Sequence, residues 1–177
     1  MTTTNIKEQA FEWLIEKALV GSTIEERGDG ADVDSQQPAE GQFYWGLPKD
    51  MDPKTAIDRR RLWSFLHATQ QEELDKYVGT QMEKEVEKQI DMDLRTFGLI
   101  HVLKNDICVQ NIKLRLFFPR PSAADAEATK EKYAANQFSV TRQQTYSLIK
   151  PGNEIDMVIF VNGLPLLTLE LKNPWTF

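Results

Sequence analysis

The stretch Asn153-Glu-Ile-Asp-Met-Val-Ile-Phe-Val-Asn-Gly-Leu-Pro-Leu-Leu-Thr-Leu-Glu-Leu-Lys-Asn-Pro174 decides the fold of this chain. It consists of two apolar runs that flank the pair Asn162-Gly163. An Asn-Gly pair between two such runs is a strong short-range signal for a β-hairpin, because both residues tolerate the positive φ angles of a tight turn. The stretch therefore predicts two adjacent antiparallel strands.

Three charged residues interrupt these apolar strands: Asp156, Glu170 and Lys172. Burying an unpaired charge costs several kcal/mol, so we expect these groups to be partners of one another and of a divalent cation. Glu170 and Lys172 are two residues apart on one strand and therefore project from the same face.

The turn geometry determines whether Asp156 shares that face. In a strict two-residue loop Asp156 would lie opposite Leu169, and the two carboxylates would be on opposite faces of the sheet. A three-residue loop with Gly163 in the left-handed region, or one bulge in the hairpin, would restore a common face. We therefore predict a positive φ for Gly163 and carboxylates that converge.

Two carboxylates beside a lysine suit the hydrolysis of a phosphodiester. Asp156 and Glu170 offer the hard oxygen ligands that Mg²⁺ prefers, and the peptide carbonyl of Leu171 is a further candidate ligand. Such a cation would polarise the phosphoryl group and activate water. The ammonium group of Lys172 could orient that water and stabilise the transition state. The trio is a candidate catalytic and metal-binding set.

The spacing Asp156…Glu170-Leu-Lys172 resembles the PD-(D/E)xK nuclease signature, with Ile155 where a proline often stands. Three further segments accompany it, namely Glu8-Gln-Ala-Phe-Glu12, Phe65-Leu-His-Ala-Thr-Gln70 and Phe138-Ser-Val-Thr-Arg-Gln-Gln-Thr-Tyr-Ser147. Together they are similar to the N-terminal nuclease domain of the R (restriction) subunit of type I restriction–modification enzymes. The resemblance runs from about residue 7 to residue 174.

This resemblance implies a restriction-endonuclease-like core and Mg²⁺-dependent cleavage of double-stranded DNA. It implies that Asp156, Glu170 and Lys172 are catalytic. It also implies that Glu8, on an N-terminal helix, approaches the metal, although a solvated helix glutamate is nearly as good an interpretation.

The V-T-R-Q segment contains two further candidates, Arg142 and Gln143. The resemblance implies that they contact DNA or support the active-site carboxylates. The ordinary polar face of a strand is an equally good interpretation of both.

R subunits of this family carry ATP-driven translocase domains after the nuclease and act with modification and specificity subunits. No G-x-x-x-x-G-K-[ST] phosphate loop occurs in this sequence, so ATP would act only through domains outside it. The family's downstream Q-x-x-x-Y helix is also missing. We therefore expect residues 1–177 to be a single nuclease domain and a fragment of a longer chain.

The composition is that of an ordinary globular protein, with 41% apolar and 27% charged residues. No apolar run approaches a membrane span, and one cysteine excludes an internal disulfide, so a cytoplasmic protein fits. The net charge of −6 argues against a stand-alone nucleic-acid binder. Bound metal and partner subunits would ease that conflict.

The remaining chain predicts a mixed α/β domain with a central sheet flanked by helices. An amphipathic helix is expected over 5–20, ended by Gly21, and a mobile loop insertion over 21–58. Further helices are expected over 70–78, 82–97 and 123–135, and strands over 99–103, 107–109, 112–118 and 137–149. Cys108 is expected to be a buried apolar filler.

Two other functions remain open. The chain could be a non-catalytic docking domain that retains a nuclease fold, which the intact trio disfavours. It could also be another PD-(D/E)xK enzyme, such as a repair nuclease, which the V-T-R-Q setting disfavours.

Overall fold

The computed structural model describes residues 3–28, 30–146 and 153–171, with side chains described from residue 9 onward. The helices are α1 (Thr3–Val20), α2 (Ile24–Arg27), α3 (Arg59–Leu74), α4 (Met82–Phe97), α5 (Leu99–Lys104) and α6 (Glu127–Ala134), with a 3₁₀ turn at Pro48–Asp50. Among the described helices, none is both long enough and apolar enough to cross a membrane.

The strands form one four-stranded sheet and two small ribbons. They are β1 (Tyr44–Trp45), β2 (Met51–Asp52), β3 (Ile57–Asp58), β4 (Asp106–Val109), β5 (Ile112–Arg115), β6 (Phe138–Thr145), β7 (Glu154–Val161) and β8 (Leu164–Leu169). The main sheet has the order β1-β6-β7-β8, in which β1 is parallel to β6 and the other pairs are antiparallel. A mixed sheet with flanking helices confirms the predicted fold class and is consistent with a nuclease-like core.

The main core lies between α3, α4, α5 and the β4–β5 ribbon. Its fully buried side chains come from all of these elements and from the start of β8, and include Ile57, Leu62, Phe65, Leu66, Val86, Ile90, Ile112, Leu114, Leu116 and Leu164. Leu164 is the residue after the Asn162-Gly163 turn, so the tip of the β7–β8 hairpin is packed into this core. The opposite end of the hairpin, with Asp156, lies away from it.

Helix α3 begins earlier than predicted, because the buried Asp58 caps it by accepting a hydrogen bond of 3.0 Å from the N–H of Arg61. The predicted strand over 99–103 is wrong. After Gly98, with φ of +82°, these residues form α5, with Val102 buried and Ile100 exposed. A short apolar run does not distinguish a strand from one turn of helix, which explains the error.

Two other local predictions are wrong. The polar helix α6 begins at Glu127 instead of residue 123, and its N-cap residue Ala126 offers no side chain that could cap the helix. Cys108 is exposed, not buried. It pairs with Lys113 on the outer face of the β4–β5 ribbon, while its neighbours Ile107 and Val109 face the core.

The segment predicted as a loop insertion over 21–58 contains several short elements. Thr23 and Glu26 form a capping box at the start of α2, and β1 joins the main sheet through parallel pairing of Trp45 with Val140. The mobility of this segment stays a prediction.

Candidate functional site

The β7–β8 turn has the geometry that its sequence predicts. Val161 pairs with Leu164, so Asn162 and Gly163 form a two-residue loop. Their φ angles are +49° and +81°, which is the pattern of a type I′ turn. The prediction of a positive φ at Gly163 is confirmed.

A bulge then changes the register of the hairpin. Phe160 pairs with Pro165, but Ile159 pairs with Leu167, which leaves Leu166 as the extra residue of β8. This is the second of the two arrangements that allow the carboxylates a common face. The ladder ends at the pair Met157–Leu169, and the next residues along the two chain segments are Asp156 and Glu170.

The carboxylate of Asp156 contacts the backbone of the segment that carries the other candidates. The N–H of Leu171 donates a hydrogen bond to Asp156 Oδ2, so the peptide that joins Glu170 to Leu171 lies against this carboxylate. Asp156 is half-buried and Glu170 is exposed. Lys172 lies outside the described residues. Asp156, Glu170 and Leu171 are therefore neighbours at one end of the hairpin.

Helix α1 contributes two buried glutamates, Glu12 and Glu16, which contact Arg142 of β6. Arg142 donates from Nε and Nη2 to Glu12 Oε2, at 3.0 and 2.9 Å, and from Nη1 to Glu16 Oε2 at 3.0 Å. All three side chains are nearly inaccessible to solvent, at 9%, 7% and 4% exposure for Arg142, Glu12 and Glu16. A guanidinium with two carboxylates is a compensated buried cluster.

The cluster extends to α2. Arg27 donates from Nη2 to Glu16 Oε1, and the N–H of Ile24 donates to Glu16 Oε2 at 3.3 Å. Glu25 lies at the rim, 3.5 Å from Arg142. Glu16 thus joins two arginines from different elements, and α1, α2 and β6 are held together by charge.

The electrostatics of Glu12 connect this cluster with the hairpin. Burial raises the pKa of Glu12, hydrogen bonds and the charge of Arg142 oppose that shift, and the charges of Asp156 and Glu16 add to it, so that the pKa stands above its ordinary value. For Arg142, burial acts against the charge, but the two glutamates outweigh it and the pKa of the guanidinium is raised. Glu12 therefore lies within the electrostatic reach of Asp156.

Sequence reasoning did not identify Glu12 and Glu16 as partners of Arg142. The amphipathic pattern predicted an apolar core face for α1, but Leu14 and Phe11 are exposed while the two glutamates are buried. The signal lay in β6, where a lone arginine in a strand of the main sheet requires acidic partners. Glu8 belongs to α1 as predicted, but its side chain lies outside the described part, so its approach to a metal stays a prediction.

Gln143 marks a backbone irregularity directly across from Asp156. Arg142 pairs with Met157 and Gln144 with Ile155, so Gln143 stands between them, opposite Asp156, with φ of +50°. Its side chain is exposed and lines a cavity of about 390 Å³ with Arg142, Glu154 and residues of α1 and α2. Gln143 is therefore accessible, whereas Arg142 is bound to glutamates.

The donor set fits a hard divalent cation that keeps several waters. Among the described side chains, no group of three or more His, Cys, Asp or Glu residues is placed to hold a metal. The hairpin end provides two carboxylates and the backbone around Leu171, which is the type of oxygen set that Mg²⁺ accepts from proteins.

Comparison with known families identifies the family of this chain. The family described as "Type I restriction enzyme R protein N terminus (HSDR_N)" matches residues 48–176, which include the V-T-R-Q strand and the whole hairpin. The chain belongs to this family. Neither a curated protein nor a solved structure matches it. Helix α1, with Glu8, Glu12 and Glu16, precedes the segment that the R-protein family matches.

Proposed function

We propose that this R-protein N-terminal domain is a Mg²⁺-dependent endonuclease of double-stranded DNA. The observation that carries the proposal is the hydrogen bond from the Leu171 N–H to the Asp156 carboxylate, which joins Asp156 to the segment that contains Glu170. Membership of the restriction-enzyme family supports a nuclease over other metal-dependent hydrolases.

In this proposal Asp156 and Glu170 would hold the cation, with the carbonyl of Leu171 as a third ligand and Glu8 as a further candidate ligand. The N–H of Leu171 occupies one oxygen of Asp156 and so fixes the plane of the carboxylate, leaving its other oxygen for the metal. The cation would supply Lewis acidity towards the phosphoryl oxygen and lower the pKa of water. Lys172 would orient the attacking water and stabilise charge on the phosphate in the transition state.

The domain would act within a longer R subunit that couples ATP hydrolysis to DNA translocation, assembled with modification and specificity subunits. Under this division of labour the target sequence is recognised by another subunit. DNA affinity then need not come from this domain, whose net charge is −6. Gln143, exposed opposite Asp156, is the side chain of the V-T-R-Q segment that could reach DNA.

The test is DNA cleavage by the R protein that contains this chain, reconstituted with its modification and specificity subunits in Mg²⁺ and ATP. Asp156→Asn, Glu170→Gln and Lys172→Met should each lower the cleavage rate by roughly 100-fold or more, because each removes a group that acts on the transition state. ATP hydrolysis and translocation should be unchanged. Glu131→Gln, an exposed carboxylate on α6, is the control that should cut normally.

Normal cutting by Asp156→Asn or Lys172→Met would refute the assignment. A wild-type complex that translocates DNA and never cuts it would instead support a docking domain that has retained the fold.

A further inference from the structure

Arg142 occupies a position between the buried acids of α1 and the candidate site. It is bound to Glu12 and Glu16, and its ladder partner is Met157, the residue after Asp156. The charge of Asp156 contributes to the raised pKa of Glu12, so the two carboxylates lie within electrostatic reach. A change in how Arg142 holds α1 should therefore alter the position of Asp156.

We propose that Arg142 is a positioning residue of the metal site: it clamps Glu12 and Glu16 onto β6 and thereby fixes the β6–β7 backbone where Asp156 lies. This inference rests on the proposed function, since it concerns the same carboxylates. It assigns Arg142 a role through other groups, and not a contact with DNA or metal.

The contacts require an arginine. The planar guanidinium uses Nε and Nη2 on one oxygen of Glu12 and Nη1 on Glu16, so one rigid fork determines the position of two residues a helical turn apart. A lysine at 142 would keep the positive charge but would bind as a point charge on a flexible stem. Arg142→Lys thus separates geometry from charge.

The sign of the effect on metal affinity distinguishes a clamp from a nearby charge. A cationic side chain that merely lay close to the site would repel a divalent cation, so its removal would strengthen metal binding. A clamp predicts the opposite, because loss of the residues that orient metal ligands weakens metal binding by about 10- to 100-fold. Arg142→Gln and Arg142→Lys should both weaken binding if Arg142 is a clamp.

The experiment titrates the 177-residue chain with Mn²⁺, followed by electron paramagnetic resonance of the free ion, with circular dichroism to keep every variant within its folded range. Arg59→Lys is the control away from the site, because the half-exposed Arg59 also bridges two glutamates, Glu87 at 2.7 Å and Glu83 at 3.2 Å, but between α3 and α4. We expect Arg142→Lys to lose about tenfold or more in Mn²⁺ affinity and Arg59→Lys to bind as wild type.

Unchanged or tighter Mn²⁺ binding by Arg142→Lys would overturn the clamp, and so would an equal loss in Arg59→Lys. If Arg142→Lys does not fold, Arg27→Lys provides the second variant, because it keeps the positive charge, loosens the other arginine contact of Glu16 and should still weaken binding. Asp156→Asn separates the two proposals: wild-type binding that is insensitive to this change would refute the metal site itself, whatever Arg142 does.

Discussion

Asn162 and Gln137 exchange two hydrogen bonds that lock the tip of the hairpin to the start of β6. The N–H of Gln137 donates to Asn162 Oδ1 at 2.7 Å, and the N–H of Asn162 donates to the carbonyl of Gln137 at 2.8 Å. The side-chain nitrogen Nδ2 of Asn162 donates to the carbonyl of Leu116 and to Asn136 Oδ1, both at 2.9 Å. The side chain of the turn residue is therefore fully hydrogen-bonded although the residue is completely buried.

Asn162→Asp should destabilise the fold while changing the side-chain shape very little. The carboxylate cannot donate, so it would face the oxygens of Leu116 and Asn136 in a site without solvent. We expect a loss of about 2–4 kcal/mol in the free energy of unfolding, measured by urea denaturation at pH 7. Asn111→Asp, an exposed side chain that donates to the Lys76 carbonyl, should lose far less.

Gly163→Ala should destabilise the protein by about 3 kcal/mol or more, because two effects act together. The φ of +81° disfavours any side chain, and a Cβ would lie 2.4 Å from the Asp58 carbonyl and 2.6 Å from the Leu62 nitrogen. Gly98→Ala is a matched control, with φ of +82° and nothing within 4 Å of its Cβ. It should lose only about 1 kcal/mol in the same urea titration. Equal losses in Gly163→Ala and Gly98→Ala would mean that the backbone around the turn moves to make room for the added Cβ.

Glu16→Gln should be far more damaging than a change in the neighbouring exposed ion pair of the same helix. Loss of the Glu16 charge leaves Arg27 and Arg142 without a shared counter-charge in a site from which water is excluded. This is expected to lower the free energy of unfolding by about 3–5 kcal/mol. Lys17 pairs with Glu26 on the surface, where water and salt screen the interaction. Lys17→Gln should therefore leave the thermal unfolding midpoint nearly unchanged, whereas Glu16→Gln should lower it clearly.

The features that sequence predicted well are those determined by neighbouring residues. The pair Asn162-Gly163 is by itself enough to predict the turn. Gly98 ends α4 by donating its N–H to the carbonyl of Leu94 at 3.0 Å. The bulge at Leu166 could be stated only as one of two possibilities, because the choice depends on the whole ladder between β7 and β8.

The features that sequence missed depend on distant partners. Helix α1 buries Glu12 and Glu16 only because Arg142, more than a hundred residues later, faces them. Cys108 looks apolar in sequence, but the alternation of a ribbon with one solvated face puts it outside. In both cases tertiary pairing overrides the local pattern.

The buried carboxylate of Asp58 predicts a specific pH dependence of stability. Burial is the largest influence and raises the pKa of Asp58 above its ordinary value, although the hydrogen bond from the Arg61 N–H and the charge of Arg61 oppose the shift. Because the folded state binds this proton more tightly than the unfolded state, the contribution of Asp58 is greatest below about pH 4 and declines as the pH rises through the raised pKa.

Asp58→Asn removes this titration and keeps the cap of α3, since asparagine accepts the same hydrogen bond as well as aspartate does. The difference in unfolding free energy, variant minus wild type, should therefore shift in favour of Asp58→Asn between pH 4 and pH 7, measured by urea denaturation at several pH values. Glu72→Gln, an exposed carboxylate on the same helix, controls for general charge effects. A difference that is independent of pH would show that folding does not raise the pKa of Asp58, and a difference that moves in favour of wild type would show that folding stabilises the anion.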